Sequence, residues 1–596
     1  MKKILIFILL SGVMSVSAQS VGAWKDHLPY KNAIALCGYN GQLLVATEGS
    51  LFFANKSDNK LERLSKVQGL SDVGVSSLNS NESYAVIGYS NGNIDLLEGY
   101  LIHNVPHLKN ENMIGEKRIN SVYFHKEFAY LSCAFGVVEL DLKEKEINNT
   151  YALNAAGNLG VNEIVFYNDS LFAATDSGLY KASANDNLSD FRSWNAHGGS
   201  FKIKDLADDL SLLYYTTNDS LHIYGRKKSI SPINSRSFLE VTVNGLFLLT
   251  PKKGYLVQEN GIIEKHSNDL ISWGSDIYTS GDTSWFADNM NGLVKKVGFY
   301  WQKFYPEGPE TKDVFSIYVN NENLWVATGG IDSWNNANVN EGVFWSDNYT
   351  WTQLSDTYLE TKDVVDVASN PHNSNKVFLS TWNNGVMELN WSDENSAFQK
   401  TAQYDHLNTD GHLATLSSDT NSNTYGWIRV KSIIFDDEGN LWGANSQVNN
   451  PLFVRKNNGD WHSFNFTSTN TTNTHLGDVV IDNIGQKWVV VPGGVGLVVF
   501  NDNNTIDEVQ DDQDRVVNSS LGSGNLPSTS VYSLAKDRDG EIWVGTNKGV
   551  AVFYNPENVF SSYDFDAQQI LVEVDGYVEF LLANETVTAI AVDGAN

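Results

Sequence analysis

The sequence predicts an all-β protein built as tandem β-propellers, and two observations lead to this fold class. First, short apolar runs alternate with Asn, Asp and Gly, as in Val531–Lys536, Glu541–Thr546 and Gly549–Tyr554. These intervening residues favour tight hairpin turns because they tolerate a positive φ. Second, this three-strand pattern recurs roughly every 45–65 residues, the length of a four-stranded blade with its loops. Such small sheets need neighbours on both faces, and a ring of blades provides them.

The composition agrees with this fold and excludes some partners. The chain has 596 residues, 12% aromatic residues and 47 glycines, but only 11 prolines, which suits many short strands joined by turns. Its formal net charge is -30. A field of that sign disfavours non-specific binding to nucleic acids or to anionic membranes. We therefore predict no nucleic-acid partner.

The first 18 residues have the pattern of a secretory signal peptide. Lys2 and Lys3 precede the apolar run Ile4–Leu10, and Val16-Ser17-Ala18 forms a small-residue cleavage site. The apolar run is too short to cross a bilayer, and no later run reaches the ~18 residues that a transmembrane helix needs. We expect an exported protein without a transmembrane span, located in the periplasm or at the outer-membrane surface.

Residues 19–305 are predicted to form the first propeller. Seven weak copies of the repeat fall in this range: Ala33–Thr47, Val75–Gly88, Ile119–Cys133, Val161–Thr175, Lys202–Thr217, Phe238–Thr250 and Ile271–Phe286. Trp24–His27 resembles the outer strands of later copies, so we expect it to complete the last blade and close the ring. Tyr300–Phe304 is expected to do the same for a second ring, and Pro306 and Pro309 mark the boundary.

Residues 306–596 are predicted to form the second propeller. Copies of the repeat begin near Lys312, Lys362, Arg429, Leu476 and Thr529. A sixth copy begins at Thr586, and the chain ends at Asn596, inside the first hairpin of that copy. We therefore expect the second ring to be incomplete in this chain, truncated before ring closure.

The sequence contains few signals for catalysis or metal binding. It has no H-E-x-x-H, no G-x-S-x-G, no Walker loop, no EF-hand loop and no cysteine pair with zinc spacing. We predict that the protein is not an enzyme, with no catalytic residues, no metal site and no cofactor. The acidic run Asp507–Asp514 is the one candidate for calcium, because hard cations take clustered carboxylates. It lacks defined ligand spacing, so a solvated loop is the favoured interpretation.

Three tryptophans form the candidate ligand-binding site: Trp334, Trp382 and Trp427. Each lies beside Asn and Gly in a loop from the second to the third strand, or in a loop from one blade to the next. These loops open on the same face of a propeller. Together the tryptophans would form a stacking surface for sugar rings or for a loop of a partner protein. The alternative is that each packs back over its blade edge as part of the local core.

Two resemblances to known families extend this interpretation. The copies around Val531–Thr546 and Lys431–Trp442 are similar to the two-component-regulator propeller repeat of Bacteroidetes hybrid sensor kinases. The opening Trp24-Lys-Asp-His-Leu-Pro-Tyr30, followed by a weak seven-repeat ring and then a stronger ring, resembles the PorZ family of the type IX secretion system. This second resemblance covers essentially the whole chain after the signal peptide.

The PorZ resemblance implies two tandem seven-bladed propellers, followed in that family by a sorting domain that is not found in this sequence. It implies a non-catalytic component of the cell-surface attachment complex, with the sortase PorU and the proteins PorV and PorQ as partners. It also implies that the protein binds anionic lipopolysaccharide and presents it to PorU for cargo anchoring. The alternative function is that of a periplasmic glycan-sensing propeller domain of a hybrid two-component histidine kinase.

Overall fold

The computed structural model describes residues 24–593 apart from 114, 198–200, 210, 227–228, 231–232, 234–236, 259–260, 321–322, 348, 562–563 and 575. The predicted signal peptide therefore lies outside the described residues. The chain divides into two compact units, one on each side of the Glu310–Thr311 peptide bond. Each unit consists mainly of small antiparallel sheets whose strands follow one another along the chain.

The first unit contains seven four-stranded sheets, which we number blades 1 to 7. The strands of blades 1 to 4 are Ala33–Tyr39, Gln42–Thr47, Leu51–Ala54 and Leu61–Leu64; Val75–Ser80, Tyr84–Tyr89, Ile94–Glu98 and Leu101–Asn104; Ile119–His125, Phe128–Cys133, Gly136–Asp141 and Glu146–Tyr151; and Val161–Tyr167, Ser170–Thr175, Gly178–Ser183 and Asn195–His197. The strands of blades 5 to 7 are Asp205–Asp208, Leu213–Thr216, Leu221–Ile223 and Ser229–Ile230; Phe238–Thr242, Gly245–Thr250, Lys253–Gln258 and Gly261–Ser267; and Gly274–Ser280, Thr283–Asp288, Gly292–Val297 and Tyr300–Phe304.

These seven blades form a closed ring. The first strand of each blade contacts the first strand of the next, and the first strand of blade 7 contacts that of blade 1. The first strands of all seven blades therefore line a central channel with a cavity of about 610 Å³. Side-chain amides link neighbouring first strands at 2.8 Å, each donating to a backbone carbonyl of the next blade: Asn79, Asn120 and Asn162.

The ring closes differently from the sequence prediction. Tyr300–Phe304, which was expected to serve a second ring, is the fourth strand of blade 7. It follows the third strand through a two-residue turn at Gly298, and so short a turn keeps both strands in one sheet. Residues 24–32 form no extended strand pairing with blade 7. Instead, the Asp26 carboxylate accepts hydrogen bonds from Arg63 and Ser65 of blade 1.

Blade 7 meets blade 1 through side chains rather than through a shared sheet. Trp285 and Phe304 pack in one apolar cluster with Tyr30 and Phe52. On the channel side, the Leu36 amide donates to the Asp276 carboxylate at 2.8 Å. The ring is therefore closed by packing and by this hydrogen bond between residues 240 positions apart.

The second unit contains, among its described residues, four four-stranded sheets and one three-stranded sheet, blades 8 to 12. Their strands are Ser316–Asn320, Asn323–Ala327, Val343–Ser346 and Trp351–Leu354; Val364–Asn370, Asn373–Thr381, Val386–Ser392 and Ala397–Tyr404; Val430–Phe435, Leu441–Asn445, Leu452–Arg455 and Trp461–Phe464; Val479–Ile481, Lys487–Val491, Gly496–Asn501 and Gln513–Val517; and Val531–Lys536, Ile542–Thr546 and Gly549–Phe553. Two short hairpins pair Ile331–Asp332 with Asn335–Asn336 and Leu571–Val574 with Tyr577–Phe580.

The helices of the described residues are single turns. The α-helices are His107–Asn110 and Asp356–Leu359, and the 3₁₀ helices are Lys66–Gln68, Phe191–Ser193 and Pro556–Phe560. Within the described ranges, no helix has the length and hydrophobicity that spanning a bilayer requires. The predicted all-β architecture of tandem propellers is confirmed.

Candidate ligand-binding site

The three predicted tryptophans lie in loops on one face of the second unit. Trp334 lies between the second and third strands of blade 8, and Trp382 follows the second strand of blade 9. Trp427 lies in the connection from blade 9 to blade 10, three residues before Val430. Because strands alternate in direction within each meander, these two kinds of connection emerge on the same face of the unit. The placement on one face follows the sequence prediction.

The structure brings the three tryptophans together around one arginine. The Arg429 guanidinium lies 5.4 Å from the ring centroid of Trp382 and 5.8 Å from that of Trp427. The ring centroids of Trp334 and Trp382 are 6.0 Å apart. On the other side, the ring of Trp334 stacks on His475 at 4.7 Å with an interplanar angle of 9°. We call Trp334, Trp382, Trp427, Arg429 and His475 the tryptophan cluster.

The burial of Trp382 differs from the predicted stacking surface, in which all three tryptophans were open to a ligand. Its side chain is completely buried, with 0% of its area exposed. Its indole N–H faces the carbonyl oxygen of Trp334 at 3.4 Å. No face of Trp382 is open to a sugar ring, so the alternative prediction, packing into the local core, describes this residue. Trp334 and Trp427 are partly exposed and keep surface that a ligand can reach.

Trp334 is held in a backbone conformation that few tryptophans adopt. Its φ is 67°, in the left-handed region, which costs free energy for a residue with a Cβ atom. Asp363 fixes the loop, since its carboxylate accepts the backbone amides of Asn338 at 2.9 Å and Val339 at 2.8 Å. This anchoring, together with the stacking on His475, holds the indole against Trp382.

Arg429 is a buried cation with unused hydrogen-bonding capacity. Only 6% of its area is exposed, and burial lowers the pKa of its guanidinium. One terminal nitrogen donates to Gln447 Oε1 at 2.7 Å, whereas Nε has no partner. Among the described residues, no carboxylate lies within ion-pair distance of Arg429. A buried guanidinium without a counter-ion favours an incoming anion, because a charge-assisted hydrogen bond would offset its desolvation.

His475 adds a second unsatisfied group. Its Nδ1 is buried without a hydrogen-bond partner. Burial, and then the nearby Arg429 charge, lower the pKa of His475, so the imidazole is neutral at pH 7. A neutral imidazole in this position accepts or donates one hydrogen bond without adding a charge.

A pocket lined by amides and carboxylates lies beside the tryptophan cluster. Its volume is about 320 Å³, and its lining includes Asn336, Asn338, Asp363, Asn383 and Asn384. The Oδ1 atoms of Asn336 and Asn383 are buried and have no partner. Side-chain amides that are free to bond match the hydroxyl groups of a saccharide, and the adjacent indoles match its C–H face. The amides and indoles together suit a saccharide, and the same pocket also carries the carboxylates of Asp356, Glu360 and Asp363.

The acidic run Asp507–Asp514 has other partners. Asp507 pairs with Lys456 at 3.0 Å and with His462 at 3.0 Å. Asp514 accepts the backbone amides of Thr467 and Ser468. In the part of the chain that the structure describes, no group of three or more His, Cys, Asp or Glu side chains is arranged to hold a metal ion. Asp507 and Asp514 therefore anchor loops in this structure.

Sequence reasoning identified the aromatic residues of the cluster but not Arg429, Gln447 or His475. One signal pointed to Arg429, because it is a lone cation between Ile428 and Val430 at the start of an apolar strand. A charge in that position is seldom there without a partner or a ligand. His475 lies in a polar loop with no pattern that distinguishes it, and only the fold places it against Trp334.

Two family models match parts of this chain. Residues 43–195 match the model of the N-terminal β-propeller domain of PorZ, a type IX secretion protein. Residues 525–548 match the two component regulator propeller repeat. A search of curated proteins found no match.

Two solved structures match this chain to very different degrees. The structure of PorZ, described as an essential bacterial surface component of the type IX secretion system of Porphyromonas gingivalis, has a TM-score of 0.80 and 24% sequence identity. The match covers 96% of this chain and 78% of that one. The extracellular domain of a hybrid two component system from B. thetaiotaomicron has a TM-score of 0.37 and 15% identity, over 94% of this chain and 81% of that one.

Proposed function

Because residues 43–195 match the PorZ N-terminal propeller domain, we propose that this chain is a non-catalytic type IX secretion component at the cell surface. The observation that carries the proposal is this match together with a PorZ-like fold over 96% of the chain. By analogy with the family, its partners are the sortase PorU and the attachment-complex proteins PorV and PorQ. Its place of action is the outer-membrane surface or the periplasm.

The ligand we propose is anionic lipopolysaccharide, which the protein would present to PorU for attachment to cargo. The tryptophan cluster supports this class of ligand. Trp334 and Trp427 offer ring surface for sugar C–H groups, and the asparagines of the adjacent pocket offer amides for hydroxyls. Arg429 supplies a buried, unpaired guanidinium for the negative group.

The overall charge of the protein determines how lipopolysaccharide binding should depend on salt. A protein of net charge -30 repels an anionic polysaccharide at long range. Binding then depends on short-range stacking and on one local cation, so monovalent salt should weaken it only slightly. A steep loss of affinity between low and physiological salt would contradict this mode and require a larger basic surface.

A second candidate function has one observation in its favour. Residues 525–548 match a repeat typical of two-component regulators, which favours a glycan-sensing propeller of a hybrid histidine kinase. The same tryptophan cluster would then bind a glycan fragment. The two functions differ in ligand, because a sensor for neutral glycans would not depend on Arg429.

The experiment compares two lipopolysaccharides with two variants of the full chain. Binding of lipopolysaccharide with an anionic polysaccharide, and of one with a neutral polysaccharide, is measured by surface plasmon resonance. We expect Arg429→Gln to weaken binding of the anionic form only, and Trp334→Ala to weaken both. Arg429→Lys keeps the charge but loses the planar donor set, and should give an intermediate result.

Trp24→Ala serves as a matched control because Trp24 is a highly exposed tryptophan that belongs to the first unit and not to the cluster. Melting temperatures of all variants separate a binding defect from unfolding. Unchanged binding of the anionic lipopolysaccharide by both Arg429→Gln and Trp334→Ala would show that the cluster is not the site.

A further inference from the structure

The hairpin between the third and fourth strands of blade 7 differs in charge from the rest of the chain. Residues 295–303 read Lys-Lys-Val-Gly-Phe-Tyr-Trp-Gln-Lys, and no acidic residue occurs between Asp288 and Glu307. The whole chain, in contrast, has 71 acidic residues against 41 basic ones. We call residues 295–303 the blade 7 hairpin.

The tip of this hairpin exposes large apolar side chains. Val297 and Tyr300 face each other across the turn, and Gly298 and Phe299 form the turn itself. Phe299 is 99% exposed, Tyr300 is 85% exposed, and Val297 is also exposed. These side chains project from the rim and line none of the cavities described above, so the tip is a protruding apolar surface.

The three lysines of the hairpin have no acidic partner among the described residues. Lys295 donates to the Lys56 carbonyl at 3.1 Å and to Asn59 Oδ1 at 2.8 Å. Lys303 donates to Asn291 Oδ1 at 3.2 Å. The Lys296 amine lies 5.8 Å from the ring centroid of Trp301. The positive charge beside the apolar tip is therefore not neutralised within the protein.

Neighbouring blades present similar turns on the same rim. The equivalent turn of blade 1 carries Lys56 and Lys60. That of blade 2 carries Tyr100 and Leu101, and the side chains of Tyr100 and Leu101 are largely exposed. These turns all join third to fourth strands, so they emerge on one face of the ring. Of the acidic residues in these turns, Glu98 pairs with Lys145 at 2.8 Å, whereas the exposed Asp58 carboxylate accepts only the backbone amide of Lys60 and keeps its charge.

We propose that the blade 7 hairpin, with the adjacent turns of blades 1 and 2, binds the surface of a lipid membrane that carries anionic phosphate headgroups. Aromatic side chains such as Phe299 and Tyr300 are favoured at the boundary between headgroups and acyl chains, and lysines pair with phosphates. A groove or a cavity would favour a protein segment, whereas a convex aromatic tip surrounded by lysines suits a flat lipid surface.

The net charge of -30 does not prevent this contact. At physiological ionic strength charges are screened over ~8 Å, so a membrane at the rim responds mainly to the charges of these three turns and to the exposed carboxylates Glu82 and Asp282, which lie in first-to-second-strand turns on the same face. Distant carboxylates reduce the rate of encounter and make binding weaker at low salt. The contact depends on the first ring alone and does not rest on the lipopolysaccharide site.

The test is co-sedimentation of the full chain with vesicles. Vesicles of phosphatidylcholine with phosphatidylglycerol are compared with vesicles of phosphatidylcholine alone, so that no saccharide is present. We expect binding to the anionic vesicles only. We also test two double variants, Phe299→Ser/Tyr300→Ser and Lys296→Gln/Lys303→Gln. The affinity of each for the anionic vesicles should fall at least about tenfold.

Tyr349→Ser is the matched control, because Tyr349 is an exposed aromatic residue at an equivalent turn of blade 8, where Asp347 takes the place of lysine. Its vesicle binding should equal that of the unmodified chain, and circular dichroism should show that all variants are folded. The proposal is overturned if the unmodified chain does not sediment with the anionic vesicles, or if both double variants bind them as well as the control does. Lipopolysaccharide binding by the same variants should be unchanged, which separates this contact from the tryptophan cluster.

Discussion

Trp334 and Trp382 show how two residues of one cluster take different roles. Trp334 is partly exposed and stacks on His475, whereas Trp382 is enclosed between Trp334 and Arg429. Deleting the exposed ring removes surface that a ligand contacts. Deleting the enclosed ring leaves a cavity beneath the binding surface.

We therefore expect opposite effects from the two alanine variants. Trp334→Ala should weaken lipopolysaccharide binding by about 2 kcal/mol with little change in melting temperature. Trp382→Ala should lower the free energy of unfolding by about 3–5 kcal/mol, because a large buried side chain is lost. Titration calorimetry and urea unfolding of both variants measure these effects. Equal losses of stability in both would mean that Trp334 is also a core residue.

Loop composition predicted that these tryptophans lie together on one face, but it left open which of them packs into the local core. Asn and Gly surround Trp382 in the sequence just as they surround Trp334, so local chemistry gave no reason to separate them. What buries Trp382 is contact with Arg429 and His475, which lie further along the chain. Long-range contacts of this kind leave no local pattern.

At the scale of single elements, three hairpins of the second unit share one hydrogen-bond pattern. An aspartate six residues before a tryptophan accepts the indole N–H: Asp436 from Trp442 at 2.8 Å, Asp482 from Trp488 at 3.0 Å, and Asp537 from Trp543 at 2.8 Å. The other carboxylate oxygen accepts two backbone amides of the turn, as Asp436 does from Glu438 and Asn440. One side chain thus fixes the turn and satisfies a buried indole.

Blade 8 lacks this aspartate, and its tryptophan shows the consequence. Val319 stands six residues before Trp325, and the indole N–H of Trp325 has no partner among the described residues. The sequence therefore accounts for this unsatisfied group once the pattern is known.

Replacing one of these aspartates should destabilise its blade. Asp436→Ala removes four hydrogen bonds and leaves a buried indole N–H unpaired, so we expect a loss of about 2–4 kcal/mol in the free energy of unfolding. Asp347→Ala is the control, because Asp347 accepts the Tyr349 and Thr350 amides in an exposed turn without a tryptophan. Urea unfolding followed by tryptophan fluorescence compares the two. A loss no larger than that of the control would show that the indole bond contributes little.

The strands and turns could be predicted because their causes are local. Asn, Asp and Gly at short spacing fix hairpins, and the seven predicted copies coincide with the first two strands of blades 1 to 7. Ring closure could not be predicted in the same way. Trp24–His27 and Tyr300–Phe304 have similar sequences, and only the tight turn at Gly298 assigns the second segment to blade 7.

At the scale of the whole molecule, the channel of the first ring concentrates negative charge. Glu163, Asp205, Glu240 and Asp276 come from blades 4 to 7 and line the same cavity, with Lys204 beside them. Burial in the channel raises the pKa of all four carboxyl groups. For Glu163, Glu240 and Asp276, the charge of neighbouring carboxylates raises the pKa further.

The raised pKa values predict a dependence of stability on pH. A carboxyl group whose pKa is higher in the folded state binds more protons when folded, so folding is favoured at low pH. That contribution is complete below the unfolded pKa and disappears as pH rises through the folded one. Near pH 5 His266 acts in the opposite direction, since burial lowers its pKa to about 4. The opposing contribution of the histidines fades as pH rises above 6.5, whereas that of the carboxyl groups continues to their folded pKa values, which are about 7 for Asp205 and Asp276 and about 8 for Glu163.

We expect the melting temperature of the full chain to fall as pH rises from 6.5 to 8. Asp276→Asn should reduce that fall, because an amide stays neutral and still accepts the Leu36 amide. Asp58→Asn, which changes an exposed carboxylate, should leave the profile unchanged. Differential scanning fluorimetry across this range provides the measurement. A flat profile for the unmodified chain would show that the channel carboxylates are hydrated and ionised without cost.

Every blade of the first ring is built from one continuous stretch of chain, and this has a consequence for the order of assembly. No blade needs a strand from the opposite end of the unit, so each can form as soon as its own residues are available. The contact between Leu36 and Asp276 then becomes the last step, and the loss of chain entropy on joining the two ends is concentrated there. Pulse-labelled hydrogen exchange during refolding should find the Leu36 amide among the last to gain protection. Protection of that amide together with the blade 2 strands would instead indicate early closure.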